Sequence, residues 1–174
     1  MKKNLVLIGM PGCGKSTVGV LCAKALGMPF LDTDLVIQSR CGTLLQRLVD
    51  ELGTEGFLTK EEECILGVTC ENTVLATGGS VALEERAMAH LTENGVIVYL
   101  ELPYETVEKR LSNIATRGIA MGKGETLRSI YEMRIPYYRR YANITIKADA
   151  QTLEQTVQAV VESFNTYQSL MSEE

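Results

Sequence analysis

The 174-residue chain is short of four things, and each shortage closes a class of function. It has a single histidine, His90, which excludes most multi-histidine metal chemistry. In Arg86-Ala87-Met88-Ala89-His90-Leu91 that residue reads as an exposed turn of helix with no neighbour that would use it as a base. Its five cysteines, at positions 13, 22, 41, 64 and 70, are an odd number and form no Cys-x-x-Cys pair. A disulfide framework and a zinc site are therefore disfavoured, and reduced thiols in a cytoplasm fit. Positive charge is also scarce: 17 Lys and Arg face 22 Asp and Glu, a formal net charge of −5. A sequence-independent hold on nucleic acid or on an anionic membrane is not expected, so any anionic ligand must be held by a local cluster of cations. Long apolar runs are missing too, since Leu5 to Ile8 falls far below the roughly 18 residues of a membrane-spanning helix. That stretch sits between Lys2-Lys3 and Gly12-Cys13 and imitates a lipoprotein signal, but it is too short and is broken at Pro11, so secretion is not expected.

With 45% apolar and 22% charged residues, the chain can bury a core without disulfides or metals. One domain over residues 1–174, acting as a monomer, is the expectation. Short β-branched and Leu-rich runs at Leu5 to Ile8, Pro29 to Leu31, Thr73 to Ala76, Val96 to Leu100 and Ile144 to Ile146 alternate with longer amphipathic stretches. Such alternation predicts a parallel sheet with helices on both faces, a three-layer α/β architecture. Helices are predicted over Lys15 to Leu26, Asp34 to Arg40, Thr43 to Leu52, Glu61 to Cys70, Glu84 to Thr92, Tyr104 to Ile114, Thr126 to Tyr141 and Leu153 to Leu170. The segment from Ala115 to Gly124 carries three glycines and no periodic pattern, and reads as a lid.

Gly9-Met10-Pro11-Gly12-Cys13-Gly14-Lys15-Ser16 satisfies G-x-x-x-x-G-K-[ST] and lies between a predicted strand and a predicted helix. The glycines let backbone N–H groups turn inward around an anion, and the helix adds its positive end. Lys15 would lie against the β- and γ-phosphates of a nucleotide, and the Ser16 hydroxyl would ligate Mg²⁺. Cys13 reads as a filler of the loop, although the helix N-terminus could lower its pKa. In Phe30-Leu31-Asp32-Thr33-Asp34 two carboxylates stand two residues apart, on one side of an extended chain, at the strand end where ligands bind in α/β sheets. Asp32 would serve the Mg²⁺ shell, and Asp34 would face an acceptor hydroxyl as an orienting group or base, or cap the following helix.

With these motifs stand Gly53 to Phe57, Thr77-Gly78-Gly79, Arg110, Arg117 and Met133-Arg134-Ile135-Pro136-Tyr137-Tyr138. In combination the sequence resembles the shikimate kinase family, a branch of the nucleoside monophosphate kinase-like P-loop proteins, over nearly its whole length. The resemblance implies a five-stranded parallel sheet, a small helical substrate-binding region over about residues 33–62 and a lid over about 115–124. It implies transfer of the γ-phosphate of ATP to a hydroxyl of shikimate, in aromatic amino-acid biosynthesis. It places Gly12, Cys13, Gly14, Lys15, Ser16 and Thr17 around the triphosphate, Ser16 and Asp32 at Mg²⁺, and Asp34, Gly79 and Arg134 on the acceptor. Arg110 would stack on adenine, and Arg117 would reach the phosphates; a flat, forked guanidinium suits both tasks, though Arg110 could also be a solvated helix face.

The departures from the family pattern concern the acceptor. Where the family has an arginine after Phe57, this chain has Leu58; the acceptor loop reads Gly78-Gly79-Ser80 in place of three glycines; and the lid reads Arg117-Gly118 in place of Arg-Pro. Losing one arm of a charge-assisted clamp costs on the order of 1.5–3 kcal/mol per hydrogen bond. Either Lys60 or Arg47 supplies the charge from a neighbouring turn, or the pocket takes another hydroxy acid, such as homoserine or a sugar acid, that still presents one anion to Arg134. A nucleotide-binding regulatory protein without acceptor chemistry is the reading from a different class. The expected activity is that of an ATP-dependent small-molecule kinase with an alcohol acceptor.

Overall fold

The structure, a computed structural model, describes residues 3–112 and 119–172. The elements run β1 (Asn4–Ile8), α1 (Lys15–Leu26), β2 (Phe30–Asp32), α2 (Thr33–Cys41), α3 (Leu45–Leu66), β3 (Val74–Ala76), a 3-10 turn (Val81–Leu83), α4 (Glu85–Asn94), β4 (Gly95–Glu101), α5 (Tyr104–Ser112), α6 (Leu127–Tyr141), β5 (Ile144–Lys147) and α7 (Leu153–Leu170). The five strands form one parallel sheet in the order β2-β3-β1-β4-β5. Every residue of β1 is buried, and so are Gly95 to Leu100 of β4. Burial at successive positions means that both faces of the central strands are covered, as a continuous apolar run in a parallel sheet requires. Strand order reverses around β1, so the carboxyl end of β1 lies at the crevice where such sheets bind ligands.

The substrate-side region has a small core of its own. Ile37 of α2, Leu48, Phe57 and Cys64 of α3, and Ala120 form an apolar cluster separate from the main one under the sheet. The predicted helices Thr43 to Leu52 and Glu61 to Cys70 are joined in α3, which is broken only at Gly53 (φ 69°, ψ 178°) and stops at Gly67. Gly53 takes a backbone conformation that other residues avoid. The motif Gly53 to Phe57 is therefore a helix re-entry rather than a loop, and Phe57 and Glu61, four residues apart, share one face of the continuing helix. His90 is not on an exposed turn: it is half-buried, and its Nε2 lies 2.7 Å from the carbonyl of Val68. No helix among the described residues is long and apolar enough to cross a membrane, and the five cysteines are free thiols.

The joint between α4 and β4 is tight. A Cβ added at Gly95 would lie 2.4 Å from the Leu91 carbonyl oxygen and 2.6 Å from a Val6 methyl. Gly95→Ala is expected to destabilise the fold by about 1–3 kcal/mol through overpacking against backbone, read as a lower urea midpoint with an unchanged slope.

Candidate active site

The loop after β1 wraps Lys15. Gly14 precedes α1 with φ 99°, a left-handed conformation open to glycine, and lets the chain turn directly into the helix. The Lys15 side chain is 7% exposed, and its Nζ donates to the carbonyls of Gly9 (2.8 Å) and Met10 (2.9 Å). A buried ammonium is tolerable only when hydrogen-bonded, so the loop and the cation hold each other in place. Cys13 is buried beneath, with Sγ 3.7 Å from Nζ, in keeping with a packing role. Thr17 follows on the exposed side of the first helical turn. Arg110, from α5, reaches the same loop, with Nη1 3.4 Å from the carbonyl oxygens of Gly12 and Cys13.

The second strand delivers the carboxylates. Ser16 Oγ donates to Asp32 Oδ2 at 2.6 Å, and Asp32 Oδ1 accepts from the Asp34 N–H at 3.0 Å. Asp32, not Asp34, is therefore the helix cap. The two carboxylates are not spaced along an extended chain, because α2 begins at Thr33 and Asp34 lies in its first turn. The strand-to-helix corner sends Asp32 to Ser16 and Asp34 into a cavity of about 260 Å³. That cavity is lined by Gly12, Gly14, Lys15 and Ser16 from the phosphate loop and by Asp34, Gln38, Phe57, Glu61 and Gly78 to Ser80 from the other side.

Behind this wall lies Arg134 of α6, 2% exposed, donating from Nη2 to the Ala120 carbonyl at 2.8 Å. Arg134 does not line the cavity itself. Tyr138, one turn on, donates to the Gly79 carbonyl, tying α6 to the acceptor loop. Burial pushes the Tyr138 phenol pKa up, so it stays a donor. Residues 115–118 of the predicted lid, Arg117 among them, lie outside the described residues. Neither candidate for the charge missing at position 58 enters the cavity. Lys60 pairs with Glu63 at 2.9 Å, and Arg47 sits exposed beside an adjoining depression that shares Gln38 and Leu44 with the cavity. Leu58 packs on the small core.

Glu61 is a site residue that the motif reading passed over, because it was assigned only to a helix. Its side chain is wholly buried; Oε2 accepts from Ser80 Oγ at 2.6 Å, and Oε1 has no hydrogen-bond partner. Burial raises its pKa to about 7; Asp34 and Glu84 push the same way, while the Ser80 bond and Arg134 push down. The signal in the sequence was its place four residues after Phe57. A carboxyl whose pKa is raised on folding stabilises the fold at low pH and loses that contribution as pH rises through the folded value. The stability difference between wild type and Glu61→Gln is expected to move in favour of the variant by about 3 kcal/mol from pH 4.5 to 8, read by urea unfolding.

Residues 11–165 match the family model described as shikimate kinase. A shikimate kinase of Francisella tularensis subsp. novicida is 35% identical over 162 residues, covering 91% of this chain and 92% of the relative. One from Actinobacillus pleuropneumoniae is 33% identical over 170 residues, covering 96% and 98%. Among solved structures, shikimate kinase from Acinetobacter baumannii in complex with shikimate superposes with a TM-score of 0.83 at 29% identity, covering 95% of this chain and 94% of that one.

Proposed function

From the premise that this chain belongs to the shikimate kinase family, we propose that it transfers the γ-phosphate of ATP to a hydroxyl of shikimate. One observation carries the reading: a single cavity is lined both by the phosphate loop and by Asp34 and Gly79, so donor and acceptor can meet in it. Lys15 and the inward N–H groups of Gly12, Cys13 and Gly14 would hold the β- and γ-phosphates, with Thr17 at the helix start beside them. Arg110 is placed to cover the nucleotide from the α5 side, consistent with stacking on its base. Asp34 would align the acceptor hydroxyl and take its proton as the phosphoryl group leaves ATP. Gly79 would offer its N–H to the acceptor, and Arg134 would attract the acceptor's carboxylate from behind the wall. Arg117 remains a candidate for the transferring phosphate on sequence grounds.

Mg²⁺ fits the residues present. Ser16 Oγ and the Asp32 carboxylate, 2.6 Å apart, are hard oxygen donors of the kind that ion takes. When bound, the ion would neutralise charge on the transferring group; the protein's own part is to position and desolvate. Free thiols at all five cysteines support a cytoplasmic setting.

ADP release measured with purified protein, ATP and shikimate at millimolar concentration should be acceptor-dependent. Turnover of another hydroxy acid with none of shikimate would sink the assignment. Lys15→Ala should lower the rate by about a hundredfold or more, because it removes charge that opposes the transferring phosphate.

A further inference from the structure

Gln38 lies one helical turn after Asp34 on α2, and both residues line the cavity. Positions four apart on a helix stack on one face, with roughly 5–6 Å between their Cβ atoms. Asp34 is the end of that pair anchored near the phosphate loop, because Asp32 accepts both from its N–H and from the Ser16 hydroxyl. Gln38 stands one turn further from that anchor. Its amide can face only one way round. The main-chain N–H of Leu45, at the start of α3, donates to Gln38 Oε1 at 3.1 Å. An N–H can only give a proton, so the atom beside it is the carbonyl oxygen and the other atom is the NH₂ group. The contact satisfies one of the open N–H groups at the start of α3, where Leu44 supplies no side-chain cap. Two donor hydrogens on Nε2 are left over. Nε2 has no hydrogen-bond partner among the described residues, and unlike Glu61 Oε1 it is not sealed. Gln38 is half-buried at the seam between the cavity and the adjoining depression and lines both, so its NH₂ group opens onto that space.

We propose that Gln38 is a specificity-determining residue of the acceptor site: with Oε1 held by Leu45, it donates from Nε2 to the acceptor's carboxylate while Asp34 aligns the reacting hydroxyl one turn away. The proposal rests on the reading of the chain as a kinase of a hydroxylated carboxylate. A hydroxyl at Asp34 and a carboxylate at Gln38 are then read by one helix face, across a span that suits a six-membered ring. The Leu45 contact makes the donor effective. It holds the amide in one orientation, so binding an oxygen at Nε2 does not have to order a free side chain first. It also links α2 to α3, the two helices that carry Ile37, Leu48 and Phe57 of the small core, so the donor is set by the packing of the acceptor region itself. The hydrogen bond would be to a charged oxygen, the stronger kind.

Two substitutions separate the donor from the helix contact. Gln38→Glu keeps an oxygen for the Leu45 N–H and replaces the NH₂ group by a second carboxylate oxygen; Gln38→Leu removes both. Steady-state kinetics at pH 8 and urea unfolding are measured on each. Both variants should raise the KM for shikimate by about tenfold or more, with the KM for ATP and kcat changing by less than about threefold. Only Gln38→Leu should lower the urea midpoint, because only it leaves the Leu45 N–H without its partner. A rise in KM confined to Gln38→Leu means that the side chain serves only to join the helices, and overturns the proposal. A rise confined to Gln38→Glu means repulsion without a donated hydrogen bond, and overturns it equally. Either of these results leaves shikimate phosphorylation standing. A wild-type protein that neither binds nor turns over shikimate overturns the kinase reading and this proposal with it.

Discussion

The chemistry of this molecule depends on one hydrogen-bonded cation. Lys15 carries its charge into a buried position and satisfies it on the carbonyls of Gly9 and Met10, in the loop that leaves β1. The ammonium ties two carbonyls of the loop together, and it could not be buried without them. Everything else is placed relative to that pair. β1 is central and buried on both faces, so its end is a rigid origin. Ser16 and Asp32 join α1 to the end of β2, and Arg110 joins α5 to the loop from the other side.

The acceptor side is built differently. It rests on a small apolar cluster of its own, with Ile37, Leu48 and Phe57 at its centre, and it is stitched to the sheet by polar contacts. Tyr138 holds the Gly79 carbonyl, Ser80 holds Glu61, and Arg134 reaches the Ala120 carbonyl. A region with few buried apolar contacts and its own core can move relative to the nucleotide side at modest cost, which suits an enzyme that must close over two substrates.

Some of this was legible before any coordinates. The phosphate loop was readable because its spacing, its preceding strand and its following helix are all local. The five strands stood out as short β-branched runs, and the family resemblance followed from motifs spread along the chain. The misreadings came from side-chain partners that the motifs alone do not name. Asp34 reads as an acceptor-facing carboxylate or, alternatively, as a cap; it lines the cavity, and Asp32 is the cap because β2 ends in a corner whose carboxylate also receives Ser16. Lys60 reads as a spare cation, but on the helix its nearest partner is Glu63. His90 reads as exposed until the Val68 carbonyl is packed beside it.

The sequence by itself determined the α/β architecture, the nucleotide loop and the set of acidic and basic residues available to a kinase site. Those depend on periodicity and short spacings, which a chain carries wherever it folds. Only the tertiary structure decided what faces what: that Arg134 is buried behind the wall, that Leu58, Lys60 and Arg47 stay outside the cavity, and that Glu61 is enclosed beside Asp34 with one oxygen unpartnered. The protonation of a carboxyl depends on desolvation and on charges brought from α2, α6 and the acceptor loop, and these meet only when the sheet and its helices close around them.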